Sequence, residues 1–304
     1  MSDWNEPLPV SRIAPVRIGL RVGLGWLALV AAGVAGAAER PYDPTYERLA
    51  RRLAADGLDH AEVRAAFRDP RMEAFRGLAF SLDPREHKSL YRGFLRADSV
   101  RRARQCRMRY DRAFRAAERR YGVPAGVTGA ILHVETQCGA NTGRRRVLSQ
   151  LAKLAMSNDP ANVRWNIARH TKGVPAKRRP AVEARVRARA RELEAMFYPE
   201  VMATFAVAER NRIEPLAMTG SGAGAFGLPQ FLPSSYLRFA VDGNGDGQVS
   251  LYDPDDAIAS AANYLRGNGW RPGISYAEQR RVIWSYNHSD AYIDTVLTLA
   301  GKLD

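Results

Sequence analysis

Residues 220–253, reading GSGAGAFGLPQFLPSSYLRFAVDGNGDGQVSLYD, constrain this chain more than any other stretch, because a glycine-rich loop, a polar-aromatic patch and an acidic loop follow without a gap. Asp242, Asn244, Asp246, Gly247, Ser250 and Asp253 fall at positions 1, 3, 5, 6, 9 and 12 of an EF-hand calcium loop, with Gln248 placed to offer its carbonyl at position 7. Asp253 stands where a bidentate Glu is usual. Asp253-Pro254-Asp255-Asp256 is also a good helix start, so capping is the other role open to Asp253. The formal GxGxxG at 222–227 is not a dinucleotide fingerprint, because Glu214-Pro215 precedes it and Leu228-Pro229 follows it instead of a strand and a helix. Its glycines would instead let backbone approach something flat such as a sugar ring, with Ser221 and Gln230 offering hydrogen bonds. No organic cofactor is expected.

The rest of the chain reads as mainly α. Apolar positions recur at helical spacing over 42–56 and 60–67, and a basic amphipathic helix is expected over 97–119, ending at Gly122. Residues 144–219 suggest further helices broken near Asn158-Asp159-Pro160 and 172–180, and helices resume at 255–266, 276–285 and 289–299. Arg12, Arg17 and Arg21, the apolar run Val22 to Val34 and the small residues ending at Ala37 have the order of a secretory signal over 1–37. Export to a periplasm by the general secretory route follows, and membrane association only if the signal is retained. The net charge of +14 favours polyanionic partners, which outside the cytoplasm means wall polymers or anionic lipid rather than nucleic acid. In that compartment Cys106 and Cys138 can form a disulfide or remain two buried thiols.

Pro124 suits the first turn of a helix running to about Gln137, with Gly139 as its cap. Glu135 lies in its last turn beside Val134, where desolvation and the negative helix end both favour the protonated acid. Such a group can protonate a glycosidic oxygen. His133-x-Glu135 with Cys138 lacks the second half of a zinc-deaminase motif and carries no metal reading.

YGVPAGVTGAILHVET at 121–136, GSGAGAFGLPQFLPSSY at 220–236 followed by VDGNGDGQVSLYDPDDAIASAANYL at 241–265, and SYNHSDAYIDTVL at 285–297 together resemble the lytic murein transglycosylase B family (glycoside hydrolase family 103). The resemblance implies a lysozyme-like helical core, about 97–143 and 215–304 within a region spanning 38–304, with a helical insertion at about 144–214. It implies cleavage of the β-1,4 bond between N-acetylmuramic acid and N-acetylglucosamine of peptidoglycan, with Glu135 as the single acid and then base. It also puts Ser221, Gln230, Tyr286, Asn287 and Tyr91 along the glycan cleft. Partners would be glycan strands and cell-wall machinery proteins. The family pattern is broken at Gln137-Cys138, Phe226 and Leu228-Pro229. A water-using muramidase needs a second carboxylate and stays open as an alternative, as does a catalytically silent binding or scaffold protein.

Overall fold

The computed structural model describes residues 45–84 and 88–303; the signal expected over 1–37 lies outside them. Twelve α-helices carry the described chain, with one two-residue ladder as its only sheet. α1 (Thr45–Ala55) and α2 (His60–Arg68) form a hairpin, and Asp59 caps α2 by accepting from the Glu62 N–H. An extended segment follows, and Asn162 and Asn166, buried one turn apart on α7 (Pro160–Thr171), bond its backbone at Leu78 and Phe80. No described helix is long and apolar enough to cross a membrane.

α3 (Ala97–Arg109) and α4 (Asp111–Tyr121) replace the single helix expected over 97–119. The chain leaves helical geometry at Tyr110 (φ −110°, ψ 29°). The break lets two faces be buried in different directions: Cys106 of α3 is turned toward Cys138, just past α5 (Ala125–Thr136), while Phe114 of α4 packs against Gly129 of α5. Local periodicity cannot reveal such a break, because Arg and Ala continue the helical pattern across it.

α5 (Ala125–Thr136) is the central helix, contacted by α3, α4, α10 (Pro254–Gly267) and α12 (Asp290–Ala300). A second group packs together from α6 (Val147–Ala155), α7 (Pro160–Thr171) and the long α8 (Arg179–Asn211). α8 also contacts α9 (Pro233–Phe239), and α11 (Tyr276–Tyr286) leads into α12. The ladder pairs β1 (Arg145–Arg146) antiparallel to β2 (Thr219–Gly220), tying the start of α6 to the glycine loop. Gly143 is required there, since a β-carbon would fall 2.1 Å from the Gly220 carbonyl oxygen.

Candidate active site

Every residue of α5 is buried except Glu135. A helix apolar on all faces is normal for a core. One carboxylate breaching its surface in the last turn is not, because burial of a charge requires compensation. Part of that compensation comes from Tyr292, 1% exposed on α12, whose hydroxyl donates to Glu135 Oε1 at 2.7 Å. Ser289 caps α12 by accepting from the Tyr292 N–H, which fixes the tyrosine in the first turn.

Two further tyrosines brace this pair. Tyr286 lies parallel to Tyr292 with ring centroids 6.4 Å apart, and Tyr91 meets Tyr292 edge-on at 5.8 Å. Burial, and then the charge of Glu135, push the phenols of Tyr286 and Tyr292 well above the usual tyrosine range. Both therefore remain protonated donors at any physiological pH. Neighbouring tyrosines add to the same upward push on both phenols.

The end of α5 is held in an unusual backbone. Gln137 (φ 51°) and Cys138 (φ 59°) are both left-handed without being glycine, and Gly139 (φ 89°) continues the turn, so the helix caps at Gln137 and two residues earlier than expected. Cys138 is bridged to Cys106 of α3, with Cα atoms 6.3 Å apart. Thr136 donates to the Leu228 carbonyl and accepts from the Gly139 N–H, both at 2.9 Å. Disulfide and hydroxyl together hold a conformation that costs energy on its own.

The glycine loop closes on itself rather than opening to a ligand. A β-carbon at Gly224 would meet Leu151 at 2.4 Å, at Gly227 Leu251 at 2.3 Å, and at Gly220 the Ala225 carbonyl oxygen at 2.1 Å. Only Gly222 of this loop faces open space. The expected approach of a sugar to these glycines is thus replaced by internal packing, and the isolated bridges Gly220 to Phe226 and Phe226 to Phe231 fold the loop into a tight knot. Ser221 accepts from the Ala225 N–H at 3.2 Å and so closes this turn. Gln230, left-handed at φ 51° and buried, donates its amide to the Thr142 and Gly227 carbonyls. Tyr286 donates to the Pro229 carbonyl at 2.5 Å. Asn287, also buried, ends α11 directly after Tyr286.

The structure thus gathers Tyr91 and Tyr286 around Glu135 through Tyr292, and links Gln230 to the turn after α5. Tyr292 is the residue that sequence reasoning missed. Its signal was a polar-tipped aromatic ahead of Ile293, Val296 and Leu299, all buried on one helix. His133 is a core residue, bonded to Ser99 at 2.8 Å, and burial lowers its pKa to about 4.

The acidic loop is a separate turn. Asp242 accepts from the Gly245 and Gly247 N–H groups, Asn244 from the Asp246 N–H, and Asp246 from the Gln248 N–H. Asp253 caps α10 by accepting from the Asp255 and Asp256 N–H groups, the second of its two possible roles. Asp256 instead closes the loop, accepting from Gly243 at one end and Ser250 at the other. Ser250 Oγ accepts from the Tyr252 N–H. Burial, with Asp253 and Asp242 nearby, raises the Asp256 pKa, while backbone donors, Gly247 first, lower that of Asp242. Asp242, Asp246, Asp253 and Asp256 have no Arg or Lys in ion-pair range among the described residues. Nor do three His, Cys, Asp or Glu side chains converge there into a ready metal cage, so a cation would depend on Asn, Ser and carbonyl oxygens as well.

The transglycosylase SLT domain profile matches residues 41–282. The chain belongs to this family. It is 33% identical over 184 residues to the membrane-bound lytic murein transglycosylase B of Escherichia coli (strain K12), covering 60% of this chain and 42% of that protein. The SLT domain chain therefore spans less than half the length of this curated relative. Its fold is similar to that of the Escherichia coli lytic transglycosylase Slt35 solved with calcium, with a TM-score of 0.63 at 22% identity over 86% of this chain and 93% of that one. SltB3 of Pseudomonas aeruginosa, solved with NAG-anhNAM-pentapeptide, gives 0.62 at 21% identity over 87% and 80%. At these identities the likeness concerns the fold, a lysozyme-like helical one.

Proposed function

We propose that this protein is an exported lytic transglycosylase that cleaves the β-1,4 bond between N-acetylmuramic acid and N-acetylglucosamine in peptidoglycan. The observation that carries the reading is Glu135: the one residue of the core helix α5 that is not buried, with Tyr292 donating to it. Glu135 as the acid gives its proton to the bridging oxygen as the C1–O bond breaks. The carboxylate left behind takes the proton of the muramic 6-hydroxyl, whose oxygen bonds to C1 and leaves a 1,6-anhydro end. One carboxylate suffices because the nucleophile is tethered to the same sugar, which can be worth an effective molarity of ~10⁵ M or more. Tyr292, held neutral, hydrogen-bonds the carboxylate form and orients it. Residues 97–143 and 215–304 form the catalytic unit in this reading, with the segment between as an insertion, and Ser221, Gln230, Tyr286, Asn287 and Tyr91 shape the cleft.

The acidic loop fits calcium as a structural ion. Asp242, Asn244, Asp246, the Gln248 carbonyl and Ser250 supply hard oxygen donors, and Asp256 the remaining charge, with Asp253 engaged as a helix cap. The uncompensated carboxylates in a chain of net charge +14 support this. Bound calcium would neutralise them and fix the entry to α10. Localisation to the periplasm follows from the substrate and from the 1–37 signal.

Mass spectrometry of purified murein digested with the wild type and with Glu135→Gln tests the reaction. Anhydro-muropeptides from the wild type alone are expected; reducing ends, or equal products from both proteins, would contradict it.

A further inference from the structure

The net charge of +14 is not spread evenly along the chain. Residues 160–182 contain Arg164, Arg169, Lys172, Lys177, Arg178 and Arg179 and not one Asp or Glu. They build α7, a 3₁₀ turn at Ala176–Arg178 and the start of α8, in the helical group of α6, α7 and α8 rather than around the core helix α5. None of these cations has a role in the chemistry above.

α7 has two unlike faces. Inward, Val163 is buried, Asn162 and Asn166 bond the backbone at Leu78 and Phe80, and His170 bonds the Phe80 carbonyl at 2.9 Å. Outward, Ala161, Arg164, Trp165, Ala168, Arg169 and Lys172 are all exposed, at the three- and four-residue steps that keep side chains on one side of a helix. Trp165 is 50% exposed, although the helix that carries it is firmly bonded on its other face. Farther along α8, Arg185 is paired with Asp83 and Arg189 with Glu192. Arg164, Arg169, Lys172, Lys177 and Arg178 have no carboxylate in ion-pair range among the described residues. Arg179 bonds only the Val174 carbonyl, which leaves its charge unbalanced as well.

We propose that this ridge docks the protein on an anionic phospholipid surface, with α7 lying along the headgroups, Trp165 at their depth and the six cations over their phosphates. An indole with one apolar and one polar edge prefers the headgroup level, and long basic side chains reach phosphates while their stems stay on apolar ground. A bilayer offers fixed negative charge across the whole ridge at once, which suits cations spread over a helix, a turn and a second helix better than the spaced carboxylates of a wall polymer do. The apolar part of the face is small, one Trp and two Ala on α7, so the docking is shallow and driven by charge. It is made by folded side chains and needs neither a spanning helix nor an attached lipid. An enzyme so held would work on wall strands next to the membrane, but the docking does not depend on what the enzyme cleaves.

The test is co-sedimentation of the exported protein with vesicles of equal parts phosphatidylglycerol and phosphatidylcholine, and with vesicles of phosphatidylcholine alone. The wild type should bind the first and not the second, and molar salt should release it. Arg164→Gln/Arg169→Gln/Lys172→Gln should weaken binding about a hundredfold, at roughly fivefold per cation, with Tm unchanged. Lys177→Gln/Arg178→Gln, in the turn after α7, should weaken it about twenty-five-fold and keeps the test open should the first variant misfold. Arg101→Gln/Arg112→Gln/Arg119→Gln removes three exposed cations from α3 and α4 that likewise have no ion pair among the described residues, and should change binding little. Trp165→Phe should remove most of the blue shift in fluorescence that accompanies binding. Equal losses from the α7 variant and from the α3 and α4 variant would overturn the site, because binding would then follow net charge alone. Wild type that ignores the anionic vesicles but pellets with murein sacculi, and loses this in the α7 variant, would overturn it too and make the ridge a wall contact.

Discussion

The corner around Glu135 and the loop at 242–256 both present carboxylates, but they are held by opposite means. Glu135 is fixed by groups from distant parts of the chain: Tyr292 from α12, braced by Tyr286 and Tyr91, with the disulfide from α3 and the Leu228 carbonyl securing the turn just beyond it. The loop is fixed by its own backbone, as Asp242, Asn244 and Asp246 each accept from N–H groups two to five residues on. The first region is preorganised by tertiary packing and needs no ion. The second concentrates carboxylates with no Arg or Lys in ion-pair range among the described residues, so its rigidity should follow cation concentration.

Mutations can break this contrast from either side. The largest effect should come from Glu135→Gln, which removes the proposed acid and should lower kcat by about 10³-fold or more while leaving Tm unchanged. Tyr292→Phe deletes one hydrogen bond to a charged group and should cost about tenfold or more in kcat with a small change in KM. Steady-state kinetics on soluble glycan strands would show both. A comparable loss from an Asp242→Ala variant saturated with calcium would mean that the two regions are not independent.

Stability effects come next. The Cys106–Cys138 bridge closes a sequence separation of 32 and on chain-entropy grounds is worth about 3–4 kcal/mol. Cys106→Ala/Cys138→Ala should therefore lower Tm by roughly 6–15 °C in calorimetry. It should also lower kcat, since it frees the left-handed turn that follows Glu135. Calcium should raise Tm by a few degrees and chelator reverse this, with Asp256→Asn abolishing the response. A Tm indifferent to both reagents would leave the loop as a metal-free turn.

The smallest effect concerns pH. His133 is held neutral in the fold with its pKa lowered to about 4 from 6.5, so the unfolded chain takes up the proton first as pH falls. Its contribution is complete above pH 6.5, is lost progressively between pH 6.5 and 4, and levels off below. His133→Gln should flatten that part of a Tm-against-pH curve.

What the sequence made legible follows the range of the interactions. The α5 helix, its acid near the C-terminal end and the acidic loop are local patterns, and they were readable because spacing within about a dozen residues specifies them. The break at Tyr110 was hidden, because it is set by where Cys106 and Phe114 are buried and not by local propensity. The closure of the glycine loop was hidden for the same reason: Leu151 and Leu251, which occupy the space a β-carbon would need, are distant in sequence from the glycines they exclude. Tyr292 lay inside a motif already recognised, yet 157 residues separate it from the carboxylate it bonds. The sequence left Asp253 as either loop ligand or helix cap, and the start of α10 makes it the cap, while Asp256, outside the twelve-residue loop, accepts from Gly243 and Ser250.

The most direct test of the central claim, that a tethered hydroxyl and not water attacks C1 under the control of Glu135, is cleavage of glycan strands in ¹⁸O-water followed by mass spectrometry of the new ends. The account predicts anhydro ends with no ¹⁸O, formed by the wild type and not by Glu135→Gln. One ¹⁸O atom in each new reducing end would contradict it, because water would then be the nucleophile and a second group would be needed to activate it.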